Sequence, residues 1–325
     1  MATIRKIQLT GGSTYIVSLP SKWIKRNKLS KGSEVELDEI NGDLLISGMN
    51  SSKKTEIIRT VNLTEKVDKG NLIRVLTSIY IANFDTLVIK SKEYISPKIR
   101  EEIKKFSKVV MGVEIFEESS RSMVLQNVLN SESFPISNAV RRMSLNVETM
   151  LEDTINGIAN NDIELLDSVI HRDDDVDRYQ WYIYREARVR SSQAEKNVYY
   201  LILSRILERI ADHSSNICGL WKAVKKPEDM PIEILEENLS HSMEMYKSAV
   251  EAFYSNNFGI LNSLIDMKAE VISRKQKLIG ESRGKAGIST ISSMSEESSR
   301  IGLYSTDIAE LAMDNILSNQ FEVDV

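Results

Sequence analysis

The spacing of apolar and polar positions changes character twice along the chain. In the first stretch it is short and alternating. "TYIVSL" places Tyr15, Val17 and Leu19 on one face and Thr14, Ile16 and Ser18 on the other, a period of two that predicts a strand. "TIRKIQL" before it is also strand-like, and Gly11-Gly12 between them marks a turn. Pro20-Ser21 opens a short helix, "SKWIKRN". "SEVELDEI" and "DLLIS" then flank Asn41-Gly42, a dipeptide whose readiness for positive φ makes it a hairpin signal. The order over residues 1–48 is β-β-α-β-β. So small a piece buries little core alone, so a second copy is expected to complete it.

"NSSKK", residues 50–54, reads as a linker. From 55 to 130 strands and helices alternate: "TEIIRTVNL", a helix through "GNLIRVLTSIYIAN" with Asp68 as its cap, "DTLVIKS", a helix "SPKIREEIKKF" with Pro97 in its first turn, then "GVEIFEES" and "RSMVLQNVL". That order predicts a small α/β sandwich. It carries no recognisable catalytic motif. A scaffold or dimer support and a small-ligand site both stay open for it.

Beyond Ser137 the period becomes helical. Val140, Met143, Val147, Leu151 and Ile158 fall on one stripe, as do Leu203, Ile206, Ile210, Ser214, Ile217 and Trp221. "KKPEDMP" breaks the run at Pro227 and Pro231. The two sides of the break resemble each other. "GIANNDIELLDSVIHRDDDV" parallels "FYSNNFGILNSLIDMKAEV", aligning Asn160-Asn161 with Asn256-Asn257. "LERIADHSSNI" parallels "SSRIGLYSTDI". The expectation is two three-helix units, residues 137–225 and 232–320, sharing one bundle. The fold class is thus α+β and multidomain: an N-terminal β module over 1–48, an α/β segment over 55–130, and a duplicated all-α bundle.

Charge sharpens this picture. The net charge of the 325 residues is only −5, but Arg5, Lys6, Lys22, Lys25, Arg26, Lys28 and Lys31 all precede the first acid, Glu34. A basic end on an acidic chain points to a polyanion partner. Cys218 is the sole cysteine, which excludes an internal disulfide and a cysteine-based zinc site. "MATIRKIQLTGG" lacks the apolar core of a signal peptide, and no run reaches the ~18 apolar residues of a membrane span. No membrane insertion and a cytoplasmic location are expected. The sequence shows no Gly-rich phosphate loop and no Glu-x-x-His pair, and it is not expected to be an enzyme.

The first repeat carries acid pairs four residues apart: Glu148/Glu152, Asp173/Asp177 and Glu208/Asp212, one on each predicted helix. Four-apart residues are neighbours on a helix, so like charges there repel. A bound cation would relieve the repulsion, because carboxylate oxygens suit iron, manganese, magnesium or calcium. A solvated face would also tolerate it, since Glu208 and Asp212 point away from the apolar stripe centred on Ile210. Both readings stand at this stage. The counterparts in the second repeat, Glu244 with Ser248, Glu270 with Arg274 and Ser299 with Leu303, keep no intact pair, so any metal is expected in the first. His213 lies off the acid stripe and reads as a packed residue.

With its repeat and "LERIADHSSNI", the stretch 137–320 resembles the PhoU family of phosphate-uptake regulators. "IRKI", "SLPSKWIK" and "KLSKGSEVEL" make residues 1–48 similar to the swapped-hairpin AbrB/SpoVT family of DNA-binding domains. Together they resemble the archaeal fusion form of phosphate-uptake regulator. The PhoU resemblance implies that the acid pairs can hold iron or zinc. The AbrB resemblance implies DNA contact by Arg5, Lys6 and Lys25; Lys22 and Arg26 join them on charge alone. The family's usual arginine between the first strands is replaced here by the uncharged "TGGSTY". Two functions are implied. One is a homodimeric DNA-binding regulator of phosphate-uptake genes, with the bundle receiving the signal. The other is a modulator of a phosphate transporter or its sensor kinase, with the basic end serving only to dimerise.

Overall fold

The structure is a computed structural model that describes residues 4–40, 42–48, 56–64, 68–129, 134–189, 194–227, 230–255, 257–282 and 287–318. It divides into two compact units, Met1–Ile57 and Ile58–Val325. The expected linker at 50–54 lies outside the described residues.

In the first unit β1 (Gln8–Thr10) and β2 (Thr14–Ile16) form an antiparallel hairpin. Gly11 and Gly12 turn it at φ of 66° and 84°, which a side chain would resist. Helix α1 (Ser21–Arg26) follows Pro20, then β3 (Val35–Ile40) pairs antiparallel with β4 (Asp43–Gly48). Gly42 turns this second hairpin at φ 82°; Asn41 lies outside the described residues. The β-β-α-β-β order matches the expectation. The alternation over 14–19 forms less strand than it predicts: β2 stops at Ile16, and both of its faces are exposed. The hairpins remain separate two-stranded sheets, a form that is marginal in water. Leu29 is buried, while Ile4, Ile7, Leu9, Tyr15, Leu37 and Leu44 are each more than half exposed.

The second unit begins with an α/β segment: β5 (Ile58–Leu63), α2 (Lys69–Ile81), β6 (Thr86–Ser91), α3 (Pro97–Val109), β7 (Val113–Glu118) and β8 (Ser122–Asn127). Sheet order is β5-β6-β8-β7. β5 and β6 run parallel, joined through α2, and the other pairs are antiparallel. The expected Asp68 cap forms, and Ser96 caps the next helix. Asp68 accepts from the Asn71 amide at 3.1 Å, and Ser96 accepts from the Ile99 amide just before Pro97. Leu76, Leu87, Ile89, Ile103, Phe106 and Leu125 fill the core.

The helices follow. The first repeat is α4 (Ile136–Ala159), α5 (Ile163–Val189) and α6 (Ala194–Lys222). The second is α7 (Ile232–Ser255), a 3₁₀ turn (Phe258–Ile260), α8 (Leu261–Asp266), α9 (Lys268–Glu281) and α10 (Ile288–Leu317). Its middle helix is broken at Met267, so the duplication is inexact in structure as in sequence. The paired asparagines serve the turns. Asn161 takes φ 49° after α4 and accepts from Trp221 Nε1 at 3.1 Å, and Asn257 caps the 3₁₀ turn by accepting from the Gly259 amide. One core runs through both repeats, from Val140, Met143 and Val147 to Ile301 and Ile308. Tyr246 donates across it to the Ser144 carbonyl at 2.7 Å. Cys218 is fully buried there, within hydrogen-bond reach of Thr154, and burial pushes its thiol up to about 11.

Packing shows no break between the α/β segment and the bundle. The guanidinium of Arg185, at the end of α5, lies 5.1 Å from the Tyr80 ring centre, and its Nε donates to Asn83 at 3.0 Å. Trp181 packs on the α/β core. Among the described residues no helix is long and apolar enough to cross a membrane.

Candidate functional site

α5 carries Asp173 and Asp177 one turn apart, and α6 carries Glu208 and Asp212 in the same way. The two helices pack together, and the four carboxyls share one local field. Burial first, then the charges of Asp212, Asp177, Asp174 and Glu208, push Asp173 up to about 7. Burial, Glu208, Asp212 and Asp174 push Asp177 up to about 6, against the pull of Arg205. Glu208 is raised as well, by burial and then by Asp212. Its side chain is only 13% exposed, so the expected solvated face is not what the structure shows there. Arg205 and Arg209 stand 3.5 and 3.7 Å from its oxygens and offset part of the cost. The Gln180 amide draws Glu208 back down, yet among the described residues neither Gln180 Nε2 nor Glu208 Oε2 completes a hydrogen bond of good geometry.

The third pair lies elsewhere in charge terms. Glu148 and Glu152 of α4 share the ammonium of Lys247 on α7, at 3.1 and 2.6 Å. The structure thus gathers four of the six acids and bridges the other two with one lysine from the second repeat, which offsets half of their charge. Their spacing signalled repulsion correctly, but the relief comes from a residue 95 positions away in the chain, which no local reading finds.

Whether a metal fits can be judged from the donors. All four gathered groups are carboxylates, and Asp173, Asp177 and Glu208 have a raised affinity for protons, which a cation would compete for. The oxygen-only set suits iron or another hard cation better than zinc, which favours nitrogen and sulfur. His213 is not a free nitrogen donor for it. Its Nδ1 is 2.5 Å from Glu297, its ring stacks on Tyr304, and Asn216 donates to the same Glu297 at 3.3 Å. Among the described residues no three His, Cys, Asp or Glu side chains are drawn tightly enough together to hold a metal ion.

At the other end, Arg5 and Lys6 are exposed on the segment leading into β1, and Lys22, Lys25 and Arg26 are exposed on α1. Lys25 and Arg26 lie in the last turn of α1, where they also complement the helix dipole. All five belong to the first unit.

Set beside known proteins, residues 140–220, which hold all six acids, match the family described as "PhoU domain". The chain carries a PhoU domain. Residues 8–56 match the family described as "Antidote-toxin recognition MazE, bacterial antitoxin", so an AbrB-like module precedes the PhoU domain. Among solved structures, the phosphate transport system regulatory protein PhoU from Streptococcus pneumoniae is similar with TM-score 0.52 and 16% identity, covering 60% of this chain and 98% of that one. PhoU from Pseudomonas aeruginosa is similar with TM-score 0.51 and 20% identity, covering 59% and 99%. No curated protein matches the sequence. At such identities the likeness is one of fold: the helical bundle is PhoU-like.

Proposed function

We propose that this protein is a homodimeric DNA-binding regulator in the control of phosphate transport, not an enzyme. One observation carries the reading: a cation-bearing module of the MazE type precedes the PhoU domain in one chain. The module supports pairing physically, because its apolar side chains stand in water and a second copy would bury them. Pairing would also bring two sets of Arg5, Lys6, Lys22, Lys25 and Arg26 to one duplex. Those cations would supply affinity through phosphate contacts, and the base-edge contacts of a few of them would supply preference. The bundle then receives the signal, from a transporter or sensor component.

A cation in this scheme would have to draw the acids of α5 and α6 closer together than they stand. Asp173, Asp177, Glu208 and Asp212 would hold it, with iron suited to their oxygen donors. Bound, it would supply the positive charge these half-buried carboxylates lack.

Binding of full-length protein to its own upstream DNA across a salt series tests the reading. Affinity should fall steeply with salt, and Arg5→Ala, Lys6→Ala and Lys25→Ala together should remove most of it and flatten the salt slope. A dimer that ignores duplex DNA at low salt would favour the second reading, which the exposed apolar faces support equally well: a modulator of a transporter or sensor kinase that uses its first unit only to dimerise.

A further inference from the structure

α3 packs against both β7 and α5, and a cleft of about 460 Å³ opens where the three meet. That is the size of ordinary small-ligand sites. Its wall is of two kinds. Val110, Val113 and Ile115 give it an apolar side. Lys104 and Lys108, one turn apart on α3, and Arg178 of α5 give it a cationic side, opposed within the lining by Glu114.

These cations have hydrogen-bonding capacity to spare. Arg178 Nε is buried and has no hydrogen-bond partner among the described residues. Burying a guanidinium nitrogen without an acceptor is costly, so an acceptor brought by a ligand would be favoured. Lys108 forms no ion pair among the described residues and is exposed. Lys104 shares Glu118, at 3.0 Å, with Arg100, which holds the same carboxylate at 2.7 Å. Two cations on one acid leave surplus positive charge, and an ammonium with one partner keeps donors free. The backbone at the mouth is fixed: Gly112 sits at φ 71°, and a Cβ there would meet Leu129 at 2.3 Å.

We propose that this cleft binds a small organic phosphate, its phosphoryl oxygens held by Arg178, Lys108 and Lys104 and its organic body laid against Val110, Val113 and Ile115. With Arg100 and Glu118 counted, four cations stand against two acids, a surplus that matches a group of nearly two negative charges, and the guanidinium fork suits phosphate oxygens. The apolar side and the volume exceed what an inorganic ion needs. The site is remote in sequence from the basic end, and the assignment stands or falls apart from the DNA reading.

Calorimetric titration of the full-length protein with adenosine monophosphate, adenosine and inorganic phosphate tests it. The monophosphate should bind saturably, inorganic phosphate more weakly, and adenosine not at all. Arg178→Gln and Lys108→Gln should each weaken the monophosphate about tenfold, the scale of one lost charge-assisted contact. Circular dichroism checks that Arg178→Gln folds; Lys108 is exposed, so its variant keeps the test valid if Arg178→Gln does not. Absence of saturable binding by either phosphate, or binding that the Lys108 variant leaves unchanged, overturns the site. Inorganic phosphate binding as tightly as the monophosphate overturns the organic class.

Discussion

The two repeats solve the same electrostatic problem in opposite ways. In the second, three acids have cations in reach: Glu270 holds Arg274 at 2.9 Å, Glu296 pairs with Lys275 and Arg300, and Glu310 pairs with Lys268. Glu296 is accordingly held below the usual carboxylate range by Lys275 and Arg300. In the first repeat, Asp173 and Asp177 face more acids than cations, and their carboxyls rise to about 7 and 6. The larger strain at neutral pH thus falls on the first copy, although Asp307 of the second is also raised, by burial and by Glu310. Surface pairs of the first kind contribute little to stability and need no ligand. Half-buried repulsion of the second kind is the sort that marks a functional position.

The largest effect that would sharpen this contrast comes from a cation. If the acid site binds one, saturating manganese or ferrous ion at about 100 times its Kd should stabilise the fold by about 2.7 kcal/mol. The gain, read as a shift in thermal midpoint, should vanish when Asp173, Asp177, Glu208 and Asp212 become their amides. A gain that survives those changes breaks the assignment to these residues.

Next is the pH response without metal. Both aspartates have folded pKa values above the ~3.9 of an unfolded chain, so between about pH 4 and 7 the folded state holds more protons than the unfolded one. Their contribution therefore weakens the fold as pH rises through that window. Asp173→Asn with Asp177→Asn should reduce the slope, leaving the part due to Glu208 and Asp307, and raise stability at neutral pH by about 1–2 kcal/mol, after allowing for solvent screening. Denaturant melts at pH 5 and pH 7.5 would show it; an equal effect at both would mean that the repulsion is already screened.

The smallest effect concerns the lysine clasp. Lys247→Ala leaves Glu148 and Glu152 facing each other and should cost about 1 kcal/mol or less, falling with salt. Lys275→Ala in the second repeat should cost less again, because Arg300 still holds Glu296 at 2.9 Å. A larger loss at Lys275 than at Lys247 would reverse the ranking of the two repeats.

Much of the fold was legible because its signals are local. Asp68 and Pro97 each mark a helix start through atoms within a few residues, and the helical stripes through Val140 and Ile210 are the buried ones. Less legible was whatever depends on partners distant in sequence. Period alone predicted β2 through Leu19, but a strand needs a neighbour, and the hairpin supplies one only as far as Ile16. The wheel around Ile210 placed Glu208 in water, whereas α5 partly covers it. Arg178 carried no signal at all within "RDDDVDR"; only the approach of α3 and β7 makes it a wall of the cleft.

Cys218 has a consequence of its own. Its thiol is sealed inside the PhoU domain and reluctant to ionise, so alkylating reagents must wait for that domain to open. With no second cysteine in the chain, the rate of label uptake becomes a clock for breathing of the first repeat, readable in unmodified protein.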